Sequence, residues 1–457
     1  MNKAVFYILF IFFSKMAFGV FPVPERIKGD VDFWKRVYSE WDNHQVIFYD
    51  SKTKFVYDIL NLPRIENEIS SPKYKKQVDQ RWQEITRILK AIGGEGGRTP
   101  DGQLEKTIHN VLKKHSMLKD RDLVERLRNQ NGLRGQFEYG LRVSGRYADD
   151  MKAVLRSQGL PDDLLAMVFV ESLFYMSATS HAGASGPWGF VKETALNSGI
   201  NVNKFADERL DPVMSTWAAA RYINKAKAGL SEWPLIITSY NYGYAGTKRA
   251  VTNLGTTDFS VILDNHDSPL FGYASKNYYA EFLAARDIML NQKKHFPELE
   301  KELAWKYRTV EVLRPVAATD LFQFEAISKD TFIKLNPSLT KYTVAGHEVI
   351  PPNYVLRVPH GKSGYFYQQI KKIPQQKRNA ASYKISSKYV AKGRESLSWI
   401  AKLFGVSSSF LSEKMGKPIE YRPKGPVLIR SQSHLFAPLL EINQSMLSAL
   451  APNKAKK

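Results

Sequence analysis

In the stretch LLAMVFVESLF, Leu164 to Phe174, one carboxylate, Glu171, stands among apolar side chains and a single serine. Leu164, Met167, Val168 and Glu171 recur at helical spacing, so the carboxylate projects from an apolar stripe and is expected to be partly buried. Burial disfavours the ionised form and raises a carboxyl pKa, which suits the group to donate a proton near neutral pH. Alone, the pattern also fits a helix end where Glu171 reaches solvent or pairs with an arginine. Downstream residues shift the balance. GASGPWGF (Gly183 to Phe190) is a glycine-dense loop around one large aromatic, ITSYNYGYAG (Ile237 to Gly246) ends an apolar helical run in Tyr240 and Asn241, and FGYASKNYYAEFLAARDI (Phe271 to Ile288) opens a helix carrying Tyr278 and Tyr279. Each can be purely structural, since glycine loops are often turns and tyrosines often core. Together, one acid, a glycine-walled cleft, flat aromatics and amides meet the needs of a sugar-polymer site, because aromatic faces stack on pyranose rings and amides bond hydroxyl and acetamido groups.

Other chemistries find less support. The 9 histidines show no metal-ligand spacing and the chain has no cysteine, so neither a metal nor another cofactor is expected. Serines near His181 lie in no nucleophile-elbow pattern, and His181 reads as a loop residue. GGEGGRTPDG (Gly93 to Gly102) lacks the lysine followed by serine or threonine of a phosphate loop and reads as a connector.

The elements that must position these residues are mostly helical. GLPDD opens the acid's segment, with Pro161 suited to a first helical turn and Asp162 and Asp163 complementing the helix dipole. HQVIFYD and FVYDIL flank a polar turn as two short strands, and the pattern from Tyr74 to Met151 is helical.

The order ES, GASGPWGF, SYNYG, NYY resembles the goose-type lysozyme-like catalytic domain of lytic murein transglycosylases, in particular the membrane-bound D type. GLPDDLLAMVFVES, DERLDP, WPLIITSYNYG and FGYASKNYYAEFLAARDI extend the likeness over about 130 residues, and FWKRVYSEWDNHQVIFYD is similar to the segment preceding that domain. The resemblance implies that Glu171 protonates the glycosidic oxygen between N-acetylmuramic acid and N-acetylglucosamine. The same residue then serves as base for the muramoyl 6-hydroxyl, which attacks C1 and leaves a 1,6-anhydro end. One carboxyl suffices because the substrate supplies the nucleophile, whereas ordinary glycosidases pair two.

Carried over by motif, Ser172 positions the acid, Gly186, Trp188 and Phe190 match a loop usually written Gly-Leu-Trp-Gln-Phe, Tyr240 and Asn241 match a Tyr-Asn pair, and Tyr278, with Tyr279 adjacent in register, matches a late tyrosine near the acid. All are expected to bind substrate. Asp207, Glu208 and Asp211 read as structural, with Arg209 as partner. Pro187 and Gly189 depart from the pattern: the missing glutamine removes hydrogen-bonding groups worth on the order of 1 kcal/mol and is expected to leave space for a glycan of altered acetylation or a bulkier substituent. Equal cleavage of acetylated and deacetylated peptidoglycan would refute that expectation.

The expected fold is therefore mainly α: a lysozyme-like helical catalytic domain, an aromatic N-terminal segment and small α/β C-terminal modules resembling LysM repeats. A basic start, an apolar run of about ten residues and a small-x-small site mark 1–19 as a cleaved secretory signal, too short for a span of ~20 residues. An N-terminal helical and aromatic region covers 20–150, the catalytic domain 151–292, a degenerate LysM-like region 305–360, a LysM-like module 383–431 and a tail 432–457. Such modules are expected to bind N-acetylglucosamine, with a packing role as the alternative.

Export without cysteine fits a periplasmic or envelope location and excludes a lipid-linked cysteine. A net charge of +21 raises concentration at polyanions, of which an anionic wall or membrane surface is compatible with export and nucleic acid is not. The expected partner is the peptidoglycan glycan strand, with peripheral association at anionic envelope surfaces and a monomeric state. Two alternatives stay open: a lysozyme-type hydrolase of intact, modified or deacetylated peptidoglycan, helped by Asp207 or Asp211, and an inactive wall-binding protein.

Overall fold

The computed structural model describes residues 21–63, 72–92, 100–180, 182–312, 314–323, 327–352, 354–373, 388–392, 396, 397, 412, 415–418 and 420–428. The expected leader, most of the glycine-rich connector, His181, the helices of the 383–431 module and the tail lie outside them. The fold is mainly α, with one three-stranded and three two-stranded sheets among the described residues. None of these helices is long and apolar enough to cross a membrane.

Two compact units share the chain, Met1–Leu141 with Leu230–Glu300 and Arg142–Gly229 with Lys301–Lys457. The range 151–292 that carries all the candidate residues is thus divided between them.

In the first unit, β1 (Gln45–Asp50) and β2 (Val56–Asn61) form the expected hairpin, rich in the β-branched and aromatic residues that pack on a pleated surface. A third strand, β3 (Leu127–Asn131), pairs with the other edge of β1, in a stretch whose pattern reads as helical. LRNQN offers no apolar alternation, so pairing with β1, not local period, makes it a strand. The sheet packs on the helices Pro72–Ile92 and Gln103–Lys114 through Phe48, Tyr57, Ile85, Ile108 and Leu112. Asp50, fully buried, bonds Tyr57 Oη at 3.1 Å and Arg126 Nε at 2.8 Å. The helix Tyr273–Leu290 packs along the N-terminal helix Lys28–Ser39, where Trp34 Nε1 donates to Asn277 Oδ1 at 3.3 Å. At the edge of the hairpin, the hydroxyls of Tyr49 and Tyr273 stand 2.5 Å apart.

In the second unit, the helix Ala148–Ser157 packs on Pro212–Lys227. The latter begins as sequence rules dictate: Asp211 caps it by accepting from the amides of Val213 and Met214, and Pro212 takes the first helical position. Farther along, β4 (Tyr307–Glu311) pairs antiparallel with β7 (Val355–Pro359), and β5 (Val316–Ala317) with β6 (Val349–Ile350). The helices Lys329–Leu335 and Lys341–Val344 lie between these strands in the chain. Asn336 of the Asn-Pro turn is buried and acts as a clamp, its Oδ1 accepting from the Arg357 amide at 2.8 Å and its Nδ2 donating to the Arg357 carbonyl at 2.9 Å. β8 (Lys388–Lys392) pairs antiparallel with β9 (Lys424–Leu428).

Candidate active site

Glu171 lies on the short helix Ala166–Ser172, entered through a 3-10 turn at Asp162–Leu165. Pro161 is the cap of that turn instead of part of a first α-turn. The apolar stripe is buried on every side from Leu164 to Phe169, while Val170 and Glu171 keep partial exposure. The helix stops abruptly because Leu173 and Phe174 both take left-handed conformations, φ +49° and +60°. For residues with a side chain this costs roughly 1–2 kcal/mol each. Burial of Phe174 against Phe169, rings 4.7 Å apart, offsets that cost. No glycine or asparagine announces this turn in the sequence.

The loop 183–190 is folded against the acid's helix by main-chain contacts. Ser172 Oγ donates to the Pro187 carbonyl at 2.9 Å and to Val168 O at 3.2 Å, so it ties helix to loop. Gly186 is required twice over, by its conformation and by its approach to main chain, whereas Gly189 is favoured by conformation and faces the movable end of the acid's side chain. Both have left-handed φ, +79° and +61°; a Cβ on Gly186 would stand 1.9 Å from the Arg209 carbonyl oxygen, and one on Gly189 would stand 2.3 Å from Glu171 Oε2. The space expected from the missing glutamine is therefore not open: the acid's own carboxyl occupies it.

Trp188 and Phe190 play a different part from the sugar-stacking faces expected of them. Trp188 is fully buried with its Nε1 donating to Thr216 Oγ1 at 2.8 Å, and Phe190 is 3% exposed. They anchor the loop, because an indole buried this deeply must satisfy its N–H inside the protein. The Phe190 carbonyl accepts from Arg209 Nη1 at 3.1 Å and the Gly183 carbonyl from the same atom at 2.9 Å.

The other carboxylates in this stretch are committed. Both oxygens of Asp207 accept from Arg209, at 2.9 and 2.7 Å. Fully buried Glu208 takes the amide and Nδ2 of Asn201 at 2.7 and 3.0 Å. Asp211 is paired in bidentate fashion with Arg357, at 2.6 and 2.8 Å, besides capping its helix. The Asp-Pro cap is readable in the sequence; the arginine, 146 residues away, is not.

Tyr240, Asn241 and Tyr278 come together in the first unit. Helix Trp233–Tyr242 is buried from Pro234 to Ser239 and stops at Gly243, leaving Tyr240 half-buried and Asn241 exposed at its end. The Tyr240 and Tyr278 rings lie parallel within 13° at 6.5 Å, and Ser275 Oγ bonds Asn241 Oδ1 at 2.7 Å. The neighbouring tyrosine is structural: Tyr279 is fully buried with its hydroxyl on the Pro22 carbonyl at 2.7 Å, and burial pushes its pKa above the usual phenol value. Tyr278 is itself only 3% exposed, so its ring packs beside Tyr240 and its face is not open to solvent. Among the described residues no group of three or more His, Asp or Glu is arranged to hold a metal ion.

Residues 151–263 match the family model described as Transglycosylase SLT domain. The membrane-bound lytic murein transglycosylase D of Escherichia coli strain K12 is 27% identical over 330 residues, covering 69% of each chain. A putative tributyltin chloride resistance protein of Alteromonas strain M-1 is 32% identical over 103 residues, 22% of this chain and 49% of that one. Among solved structures, an inactive mutant of lytic transglycosylase Slt from Pseudomonas aeruginosa aligns with 13% identity and a TM-score of 0.29. That alignment spans 51% of this chain and 37% of that one.

Proposed function

We propose that this chain, which carries the catalytic domain of a peptidoglycan lytic transglycosylase, cleaves the β-1,4 bond between N-acetylmuramic acid and N-acetylglucosamine with Glu171 as its one catalytic carboxyl. Glu171 gives its proton to the departing glycosidic oxygen. The resulting carboxylate then accepts the proton of the muramoyl 6-hydroxyl as that oxygen closes on C1. Bond cleavage and ring closure balance without water, and the products are a free 4-hydroxyl and a 1,6-anhydro end.

One observation carries this reading: the three acids of the 201–211 loop are committed, Asp207 to Arg209 and Asp211 to Arg357 through both oxygens and buried Glu208 to Asn201 through Oε2. A hydrolase of the two-carboxylate kind needs a second acid free to activate water, and none of these is. Ser172 and Gly189 hold the carboxyl against the loop, while in the other unit half-buried Tyr240 and exposed Asn241 carry the aromatic and amide groups that the family motif assigns to the glycan. The apolar leader and the lack of cysteine support action in the envelope after export.

The test is borohydride reduction of the products. Anhydro ends carry no hemiacetal and resist reduction, so fragments released from sacculi should keep their mass. Reducible ends would make the protein a hydrolase, and absence of any release would leave a wall-binding role.

A further inference from the structure

Residues 336–343 and Arg357 lie against the loop 201–211 of the same unit. The Asp207 amide donates to Ser338 O at 2.7 Å, Ala206 and Leu339 form an antiparallel bridge, and the Thr340 amide donates to Phe205 O at 3.1 Å. Thr340 Oγ1 donates to Lys204 O at 2.5 Å and Thr343 Oγ1 to Phe205 O at 2.8 Å. The Tyr354 ring meets the Phe205 ring edge-on at 5.1 Å. Where the loop ends, Arg357 grips both oxygens of Asp211, with both side chains almost fully buried. The loop so held is the one whose Arg209 reaches the Gly183 and Phe190 carbonyls, and whose Arg209 carbonyl packs on Gly186. Two residues from Phe190, Trp188 is locked on Thr216, and between them Gly189 touches the Glu171 carboxyl.

We propose that the 305–360 region is a positioning element for the catalytic loop. It holds 201–211 at its middle, 204–207, and at its far end, Asp211, and 201–211 fixes 183–190 against the acid. A segment read from sequence as a degenerate glycan-binding repeat thereby spends its 336–343 edge and its one buried arginine on the catalytic unit. Main-chain bridging and a bidentate ion pair transmit position well because neither tolerates sliding: a shift of one residue breaks the bridge, and a rotation breaks one of the two parallel bonds. Arg357 and Thr343 are on this account positioning residues that never touch substrate.

The proposal rests on Glu171 being the acid, so its test has two readouts. In the full-length chain, Arg357→Met, Arg357→Lys and Thr343→Val are compared with wild type for kcat and KM of glycan release from sacculi, and for amide hydrogen exchange across 183–190. Arg357→Met should lower kcat about tenfold with KM within about twofold, and Arg357→Lys should recover part of the loss. Exchange at Ser185 and Gly186 should quicken by a similar factor while the amides of β1 keep their rate. Should Arg357→Met not accumulate folded, Thr343→Val carries the test, with an expected kcat loss of about threefold. Unchanged exchange at 183–190 in a folded variant would overturn the proposal. So would a rise in KM at constant kcat, which would make the region a glycan binder. If wild type releases no glycan, the functional reading fails and exchange alone still decides the coupling.

Discussion

Around Glu171 the backbone does the holding. Two glycines in left-handed conformations, two strained residues behind the helix and carbonyls bonded by Ser172 and Arg209 set where one carboxyl sits. Around Tyr278 the backbone is plain helix, and side chains set the geometry through parallel rings, a serine on an asparagine and aromatic packing. The difference teaches which changes each region tolerates. The Glu171 carboxyl is backed so closely by Gly189 that an added atom there must displace it. Around Tyr278 packed helices decide only which faces meet, so single side-chain changes there disturb less.

The largest effect expected from this contrast is at Gly189. Gly189→Ala brings a methyl into the space of Glu171 Oε2 and must turn the carboxyl away. Displacement of about 1 Å costs on the order of 10²-fold in rate, so kcat on sacculi should fall by that order while KM holds. Wild-type kcat in this variant would mean that the close approach is incidental.

The tyrosine side is sharpened by a pair of adjacent substitutions. Tyr279→Phe removes a buried bond to the Pro22 carbonyl and should cost about 1 kcal/mol, a fall in Tm of roughly 2–4 °C, without loss of activity. Tyr278→Phe should do the reverse, lowering activity a few-fold with Tm unchanged. Equal loss of activity in both variants would contradict a functional difference between the two tyrosines.

How much of this was legible beforehand follows the same division. The acid's helix, the β1–β2 hairpin and the Asp-Pro cap were readable because period, β-branched composition and cap chemistry are local. The left-handed turn at Leu173 and Phe174 was not, since its stabilisation comes from burial of Phe174 and not from residue type. Nor was β3, whose strand character comes from pairing with β1. Trp188 was legible as important but not as buried: the residues that enclose it, Thr216 among them, come from a helix 28 positions on. The Asp211–Arg357 pair joins residues that no local pattern relates.

The smallest effect expected lies in the second unit's buried polar cluster. Burial raises the Asp150 carboxyl above its ordinary value of 3.8, partly opposed by the bond from Tyr307 Oη at 2.6 Å. A raised native pKa means that the stability this group contributes is complete below the unfolded value and is lost as pH rises through the native one. Asp150→Asn cannot ionise, so its Tm should gain on wild type as pH rises above the carboxyl's ordinary value of 3.8, by less than the change at Tyr279. A Tm difference that does not change with pH would show that folding leaves the Asp150 pKa at its unfolded value.

The most direct test of the central claim is mass spectrometry of products after sacculi are incubated with purified protein and with Glu171→Gln. The loss of a general acid is worth roughly 10²–10⁴-fold, so the variant should release almost nothing, while wild type yields muropeptides lighter by one water than hydrolysed ends. Hydrated products, or release by the variant at the wild-type rate, would contradict a single-carboxyl transglycosylase.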